Sequence, residues 1–304
     1  MQSSPQLKSK ECILGIIITY NPEVKHFVNF ASRLSQQFSN ILVIDNDSKN
    51  QNEFLSNIEK IDNPCKFHVI RNSSNKGLAT AQNQGAQFVL DNGYEAFCIF
   101  DQDSHVEPDY LDIIVKDYNS LVLLNVSIGA IGPCVVDRSS GKSYPIAIYD
   151  GFLLNRYYLK DGEIAECSYI ISSGSLIGAD ALKIVGFFLD RLFINYIDIE
   201  WCFRCAAHNL KVFTTNNAKI TQDVGVYRKM FFGRAIPVHN PIRRYYAARN
   251  SVIMLFLPHV SIGYKFREAI FNPLRLIFDC VVEGNTLHRV NFFLKGVYDG
   301  IRGK

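Results

Sequence analysis

Residues 97–111 read FCIFDQDSHVEPDYL. An apolar run, Phe97 to Phe100, leads straight into two aspartates, Asp101 and Asp103, with only Gln102 between them. Two carboxylates that close repel, and each favours protonation of the other. Residues two apart at a strand end point the same way, so this pair can share one cation. Oxygen ligands alone suit a hard divalent ion, Mg²⁺ or Mn²⁺, with positions left open for phosphate oxygens. A calcium loop needs Asp or Asn at position 105 and Gly at 106, and the chain offers His105 and Val106. A phosphatase working through an aspartyl-phosphate also carries D-x-D after a hydrophobic strand, but on its first strand.

Here the stretch closes the fourth strand-like run. ILGIIITY (13–20) is continuously apolar, β-branched and ends at the turn signal Asn21-Pro22. ILVIDNDS (41–48) predicts a second buried strand ending at Asp45, KFHVIRN (66–72) a third, and AFCIF (96–100) the fourth. Helical spacing occupies 24–38 and 78–92. Strands alternating with helices imply an α/β fold with a mostly parallel sheet, whose ligands bind beyond the carboxyl ends of the strands. Thr19-Tyr20-Asn21, Asp45-Asn46-Asp47, Arg71-Asn72 and Asp101-Gln102-Asp103 should therefore converge on one crevice. Further along, 126–136 and 168–179 read as strands, 179–186 as a short helix, and a longer helix starts near Asp198.

The chain has 304 residues, 48% hydrophobic and 20% charged, as a globular protein does. The N-terminus is polar and lacks the apolar core of a secretory signal, and no uninterrupted apolar stretch is long enough to span a membrane. Eight cysteines lack framework spacing, and the lone CxxC, Cys202 to Cys205, has no second pair; reduced core thiols in a cytoplasmic protein are expected. The net charge of +3 divides unevenly. Residues 1–225 hold 19 Lys and Arg against 25 Asp and Glu, whereas 226–304 hold 13 against 4. We expect a catalytic domain over 1–225 and a basic, mainly helical region over 226–304. That tail, rich in apolar and aromatic residues, suits an anionic membrane surface or a phosphate-bearing ligand, or equally a core-packing helix with a solvated basic face.

TYNP (19–22), IDNDS (44–48), RNSSNKGLATAQNQG (71–85), FDQDS (100–104), INYIDIEWCFR (194–204) and HNPIRRYYAARN (239–250) stand in an order that resembles the inverting GT-A fold glycosyltransferases of family 2, especially the bacterial rhamnosyltransferase branch. The resemblance covers most of residues 13–250. It implies that Thr19, Tyr20, Asn21 and Asp45 hold the nucleobase, with Asp45 accepting the N3–H of a uracil or thymine. Arg71, Asn75, Lys76, Gly77 and Gln102 line the rest of the nucleotide. Asp101 and Asp103 hold Mg²⁺ or Mn²⁺ on the diphosphate, and Arg243, Arg244 and Arg249 assist there. Asp198, at a helix start, is the base that deprotonates the acceptor hydroxyl. Gly174 borders the sugar, and Trp201 either floors an acceptor subsite or fills core. Glu200 and Arg204 are spaced to pair along their helix.

The implied reaction moves L-rhamnose from dTDP-β-L-rhamnose to a lipid-linked surface glycan such as O-antigen, on the inner face of the membrane, with peripheral contact to anionic lipid and no nucleic acid. Two departures stand out. Ile197 replaces one carboxylate of a common E-D pair, and Gln222 stands where relatives often carry a metal-binding histidine, leaving Asp223 or His239 as candidate third ligands. A catalytically idle nucleotide-binding relative is the alternative these departures keep open, alongside the phosphatase.

Overall fold

A computed structural model describes residues 4–222, 227–231, 234–238, 241–283 and 286–303. The first half alternates β1 (Ile13–Thr19), α1 (Val24–Ser35), β2 (Asn40–Asp45), α2 (Gln51–Ile58), β3 (Lys66–Arg71), α3 (Leu78–Asp91) and β4 (Ala96–Asp101). There follow β5 (His105–Val106), α4 (Tyr110–Leu123), β6 (Ile128–Asp137), a hairpin of β7 (Ile146–Asp150) and β8 (Leu153–Tyr157), β9 (Ile164–Cys167), β10 (Leu176–Gly178) and α5 (Ala179–Val185). After α6 (Ile197–Ala207) and β11 (Lys211–Gln222) come a hairpin of β12 (Tyr227–Phe231) and β13 (Arg234–Val238), then α7 (Pro241–Phe256), α8 (Ile262–Glu283) and α9 (Thr286–Ile301).

The main sheet runs β3-β2-β1-β4-β10-β6-β11-β5, with β9 also on β11. The first four strands pair in parallel, and β10 runs antiparallel between β4 and β6. Both faces of β1 are buried, and its period of two splits the core. Ile13 and Ile17 face α1, α2 and α4, while Leu14, Ile16 and Ile18 face α3, α5 and α6. β2 and β4 divide the same way. The α3 side is closely packed: a Cβ on Gly85 would sit 2.8 Å from Ile16 Cδ1.

Strand register aligns the polar tips. Thr19 lies opposite Asp45, Asp45 opposite Arg71, and Ile18 opposite Asp101. The anticipated single strand over 168–179 is replaced by a loop and a three-residue strand. Gly174, at φ +78°, lies in a turn in which the Ser175 N–H donates to the Ser172 carbonyl, and this bends the chain beneath the end of β4. The anticipated domain boundary, and the candidate ligands Asp223 and His239, lie outside the described residues. Among the described residues no helix is long and apolar enough to cross a membrane.

Candidate active site

Asp101 ends β4 half-buried, with its backbone N–H donating to Ser173 Oγ at 3.2 Å. Ser173 in turn shares a 2.7 Å hydrogen bond with Ser104. One residue earlier in the same loop, the Ser172 N–H donates to Asp198 Oδ2 at 3.3 Å. A single buried loop thus joins the D-x-D turn to the start of α6. The Ile199 N–H supplies Asp198 with a second donor, at 2.9 Å.

Electrostatics agree with that proximity. Burial, then the charges of Asp103 and Asp198, push the Asp101 carboxyl up to about 6; a hydrogen bond from Gln222 and the charge of Arg243 pull the other way. Burial raises Asp198 as well, opposed by its backbone donors. Asp103 is exposed. Asp103 and Asp198 therefore both lie within electrostatic reach of Asp101, with Arg243 opposing them, which leaves a surplus of negative charge. That surplus, held on hard oxygen donors, fits a divalent cation; Asp101 and Asp103 would hold it, leaving positions for phosphate oxygens. Gln222, in the place of the expected histidine, turns its amide nitrogen to Asp101 Oδ2 (3.2 Å) and to Ser104 Oγ (3.3 Å). It acts there as a donor to the acid.

The nucleotide side is built from side-chain amides. Tyr20 and Gln102 bond reciprocally: the Tyr20 N–H donates to Gln102 Oε1 at 2.8 Å, and Gln102 Nε2 donates back to the Tyr20 carbonyl at 3.3 Å. Asn21, at φ +48°, donates its N–H to Ser48 Oγ and accepts the Lys49 N–H on its side chain. Asn46, which the sequence places at the tip of β2 without a role, pins the 72–77 loop. It donates to Asn75 Oδ1 (3.0 Å) and the Gly77 carbonyl (3.2 Å), and accepts from the Lys76 N–H (3.0 Å). The Arg71 and Lys76 side chains and the Tyr20 ring stay exposed.

Asp45 departs from expectation. It is fully buried, and its oxygens accept from Thr19 Oγ1 (2.9 Å), the Ser48 N–H (3.0 Å) and Gln51 Nε2. The carboxylate caps its own turn and presents no open oxygen to a base. For Trp201 the structure decides between the two alternatives. The residue is 1% exposed, stacks at a tilt on Phe188 and donates from its indole to the Gly186 carbonyl, so it fills core and cannot floor an acceptor subsite. The anticipated Glu200–Arg204 pair forms with two 2.8 Å contacts, and His259 Nε2 joins Glu200 at 2.8 Å.

Of the three arginines, only Arg243 is both exposed and within electrostatic reach of Asp101. Arg244 is buried. Arg249 is buried too, donating to the Arg191 carbonyl and to Asn250 Oδ1 (3.0 Å) with its guanidinium 4.9 Å from the Tyr246 ring. A diphosphate role for Arg249 is therefore overturned: it braces the loop that leads to Asp198. That loop holds Phe193, Asn195 and Tyr196 at positive φ, strained for residues other than glycine. It is gripped from two sides. The Phe193 carbonyl caps the start of α3, accepting from Leu78 N (2.6 Å) and Ala79 N (3.2 Å), and the Phe193 ring stacks on Tyr246 at 4.7 Å. From α7, the Asn250 amide nitrogen lies 2.8, 2.7 and 3.1 Å from the carbonyls of Leu192, Ile194 and Asn195. No pattern along the sequence signals that clamp, because its partners are backbone atoms 55–58 residues away.

Known proteins share this fold. The family model described as glycosyl transferase family 2 matches residues 16–167. The dTDP-rhamnosyl transferase RfbF of Shigella flexneri is 31% identical over 294 residues, covering 96% of both chains. A mannosyltransferase of Pyrobaculum calidifontis, solved with GDP-Man and Mn²⁺, superposes with a TM-score of 0.59 at 13% identity, over 99% of this chain and 90% of that one. GalNAc-T7, solved with UDP, GalNAc and Mn²⁺, gives 0.56 at 14% identity over 93% of this chain, which spans only 61% of that protein's length. These structures establish the GT-A fold, and the family match with the close relative establishes membership: the chain belongs to glycosyl transferase family 2.

Proposed function

We propose that the protein transfers L-rhamnose from dTDP-β-L-rhamnose, with inversion, to a hydroxyl of a lipid-linked surface glycan such as O-antigen. The observation that supports this reading is the Ser172–Ser173 bridge, whose adjacent residues hydrogen-bond to the Asp198 carboxylate and to the Asp101 backbone. The rhamnosyl donor is argued from the likeness to RfbF along nearly the whole chain.

In this reading the acceptor oxygen attacks C1 as its proton passes to Asp198 Oδ. The bond between C1 and the β-phosphate oxygen breaks, and its electron pair leaves with dTDP. Burial raises the Asp198 carboxyl and so strengthens it as a proton acceptor, while its two backbone donors favour the charged form against that burial. Asp101 and Asp103 would hold Mg²⁺ or Mn²⁺, which offsets charge developing on the departing diphosphate. Arg243 adds positive charge to the same region. Tyr20, Arg71 and Lys76 offer their exposed side chains to the nucleotide, on a floor stiffened by Asp45 and Asn46. Residues 1–225 supply donor site and base; 226–304 form the acceptor side and a peripheral contact with the inner membrane face.

The test is transfer from dTDP-rhamnose to purified lipid-linked acceptor with divalent metal. Asp198→Asn keeps an acceptor oxygen for one of the two backbone donors, which reach different carboxylate oxygens, and should lower kcat by about 10²–10⁴. Asp103→Ala should abolish metal-dependent turnover. Full activity in either variant would refute these roles.

A further inference from the structure

α8 is built inside out. Helices that pack on a protein core turn apolar residues inward and polar ones to solvent. Here the inward side carries Tyr264, Glu268, Asn272 and Arg275. Glu268, 2% exposed, accepts from Tyr196 Oη (2.7 Å) and from Arg275 (2.9 and 3.0 Å). The outward side carries Ile262, Phe266, Ile270, Leu274, Ile277 and Val281, spaced by three or four and each 43–67% exposed. The helix is about 33 Å long at 1.5 Å per residue. Its start is continuous with another exposed apolar point. Gly263 packs on the β7–β8 turn, where a Cβ would stand 3.0 Å from Phe152 Cα, and the exposed Phe152 ring meets Phe266 edge-on at 6.1 Å.

α9 repeats the pattern with charge alongside. Leu287, Leu294, Tyr298 and Ile301 form one exposed stripe, 52–81% open. His288, Lys295 and Arg302, seven residues apart, run along one flank of it. The opposite side of α9 is spent on α7, where Cβ atoms on Gly296 and Gly300 would collide with the Ala248 and Val252 side chains. Among the described side chains no carboxylate lies on either outward face; Glu268 points inward and Asp299 accepts from Tyr245 Oη at 2.8 Å.

We infer that the outward faces of α8 and α9, with the Phe152 turn, are an interfacial docking surface for a bilayer with anionic headgroups. Apolar surface of this extent is not left to water without a partner. A rim of His, Lys and Arg beside an apolar stripe is the pattern of a helix lying in the headgroup plane, its cations reaching phosphates while the stripe enters the acyl boundary. Among the described side chains, a second copy of the chain would bring more positive charge and no acid to the same face. The inference deepens the peripheral contact proposed above by naming its surface. It is read without donor or acceptor, so its failure leaves the transferase reading intact, and the reverse holds.

Flotation of the full chain with vesicles of phosphatidylcholine and phosphatidylglycerol tests it, beside vesicles of phosphatidylcholine alone. The wild type should float with the anionic vesicles, and added salt should weaken that binding. Phe266→Asp/Ile277→Asp should lower partitioning at least tenfold; Lys295→Glu/Arg302→Glu should remove the preference for anionic lipid. All four positions are exposed, so fluorescence of the single, buried Trp201 should be unchanged and certify folding. A wild type that stays at the bottom of the gradient overturns the inference. So does a stable dimer by sedimentation that Phe266→Asp/Ile277→Asp dissociates while vesicle binding is absent.

Discussion

The side chain of Gln222 donates to Asp101 Oδ2 at 3.2 Å from the end of β11, two strands beyond β10 in the sheet. That one hydrogen bond favours the ionised acid against burial and two neighbouring carboxylates. Gln222→Leu should therefore raise the Asp101 pKa above 6. Binding of Mn²⁺ with dTDP, followed by calorimetry, should weaken several-fold near pH 6.5 and much less at pH 8, where the acid is ionised regardless. An equal loss at both pH values would mean that Gln222 acts on the nucleotide directly.

Asp101 should also cost the metal-free protein stability. Its folded-state pKa of about 6 lies above the unfolded value of 3.8. Below about pH 4 it is protonated in both states and the fold bears no penalty; the penalty builds as pH rises to 6 and stands in full above it. Asp101→Asn should then raise the melting temperature at pH 7.5, by the equivalent of about 1–3 kcal/mol, with the gain vanishing near pH 4. Added Mn²⁺ should stabilise the wild type and leave the variant unmoved. An inactive variant that is also less stable at pH 7.5 would contradict the crowded-carboxylate account.

How far the sequence carries depends on whether a residue's partners are local. The tips of β1, β2 and β4 were legible because buried parallel strands are continuous apolar runs and their ends must share one edge of the sheet. The start of α6 could be placed to within a residue. Arg249 was misplaced and Trp201 left undecided because a polar handle reads as functional until its partner is seen, and both partners are backbone carbonyls of other loops, at Arg191 and Gly186. Asp45 was misjudged because a carboxylate that caps a turn and one that meets a base share the same local sequence. The inverted α8 was invisible for a related reason: periodicity locates the apolar face but does not say which side meets the protein.

Asn250 should be worth more than an ordinary buried amide. It faces three carbonyls in a segment where Phe193, Asn195 and Tyr196 hold positive φ. Asn250→Ala strands buried acceptors at roughly 1–3 kcal/mol for each group left unpaired, so urea unfolding should show a loss of about 2–4 kcal/mol. Because the same segment runs into Asp198, kcat should fall more than the donor KM rises. A stable variant with normal kcat would show that the loop holds its shape without the clamp.

Gly77 gives the sharpest steric prediction. At φ +86° it begins α3 in a conformation L side chains rarely adopt, and an added Cβ would collide with the Phe193 ring and sit 2.8 Å from the Phe193 carbonyl. Neither neighbour can give way. The ring is stacked on Tyr246 at 4.7 Å, and the carbonyl is the acceptor for the first N–H groups of α3. Gly77→Ala must therefore either strain its own backbone or lift the 192–196 loop off α3. The first costs about 1–3 kcal/mol and leaves Asp198 in place. The second also moves the base, since the loop runs directly into α6. We expect both a lower melting temperature and a kcat loss of at least tenfold, with Phe193→Ala in the Gly77→Ala background recovering part of the stability by removing the ring. If that second substitution only destabilised further, the collision would not be the cause.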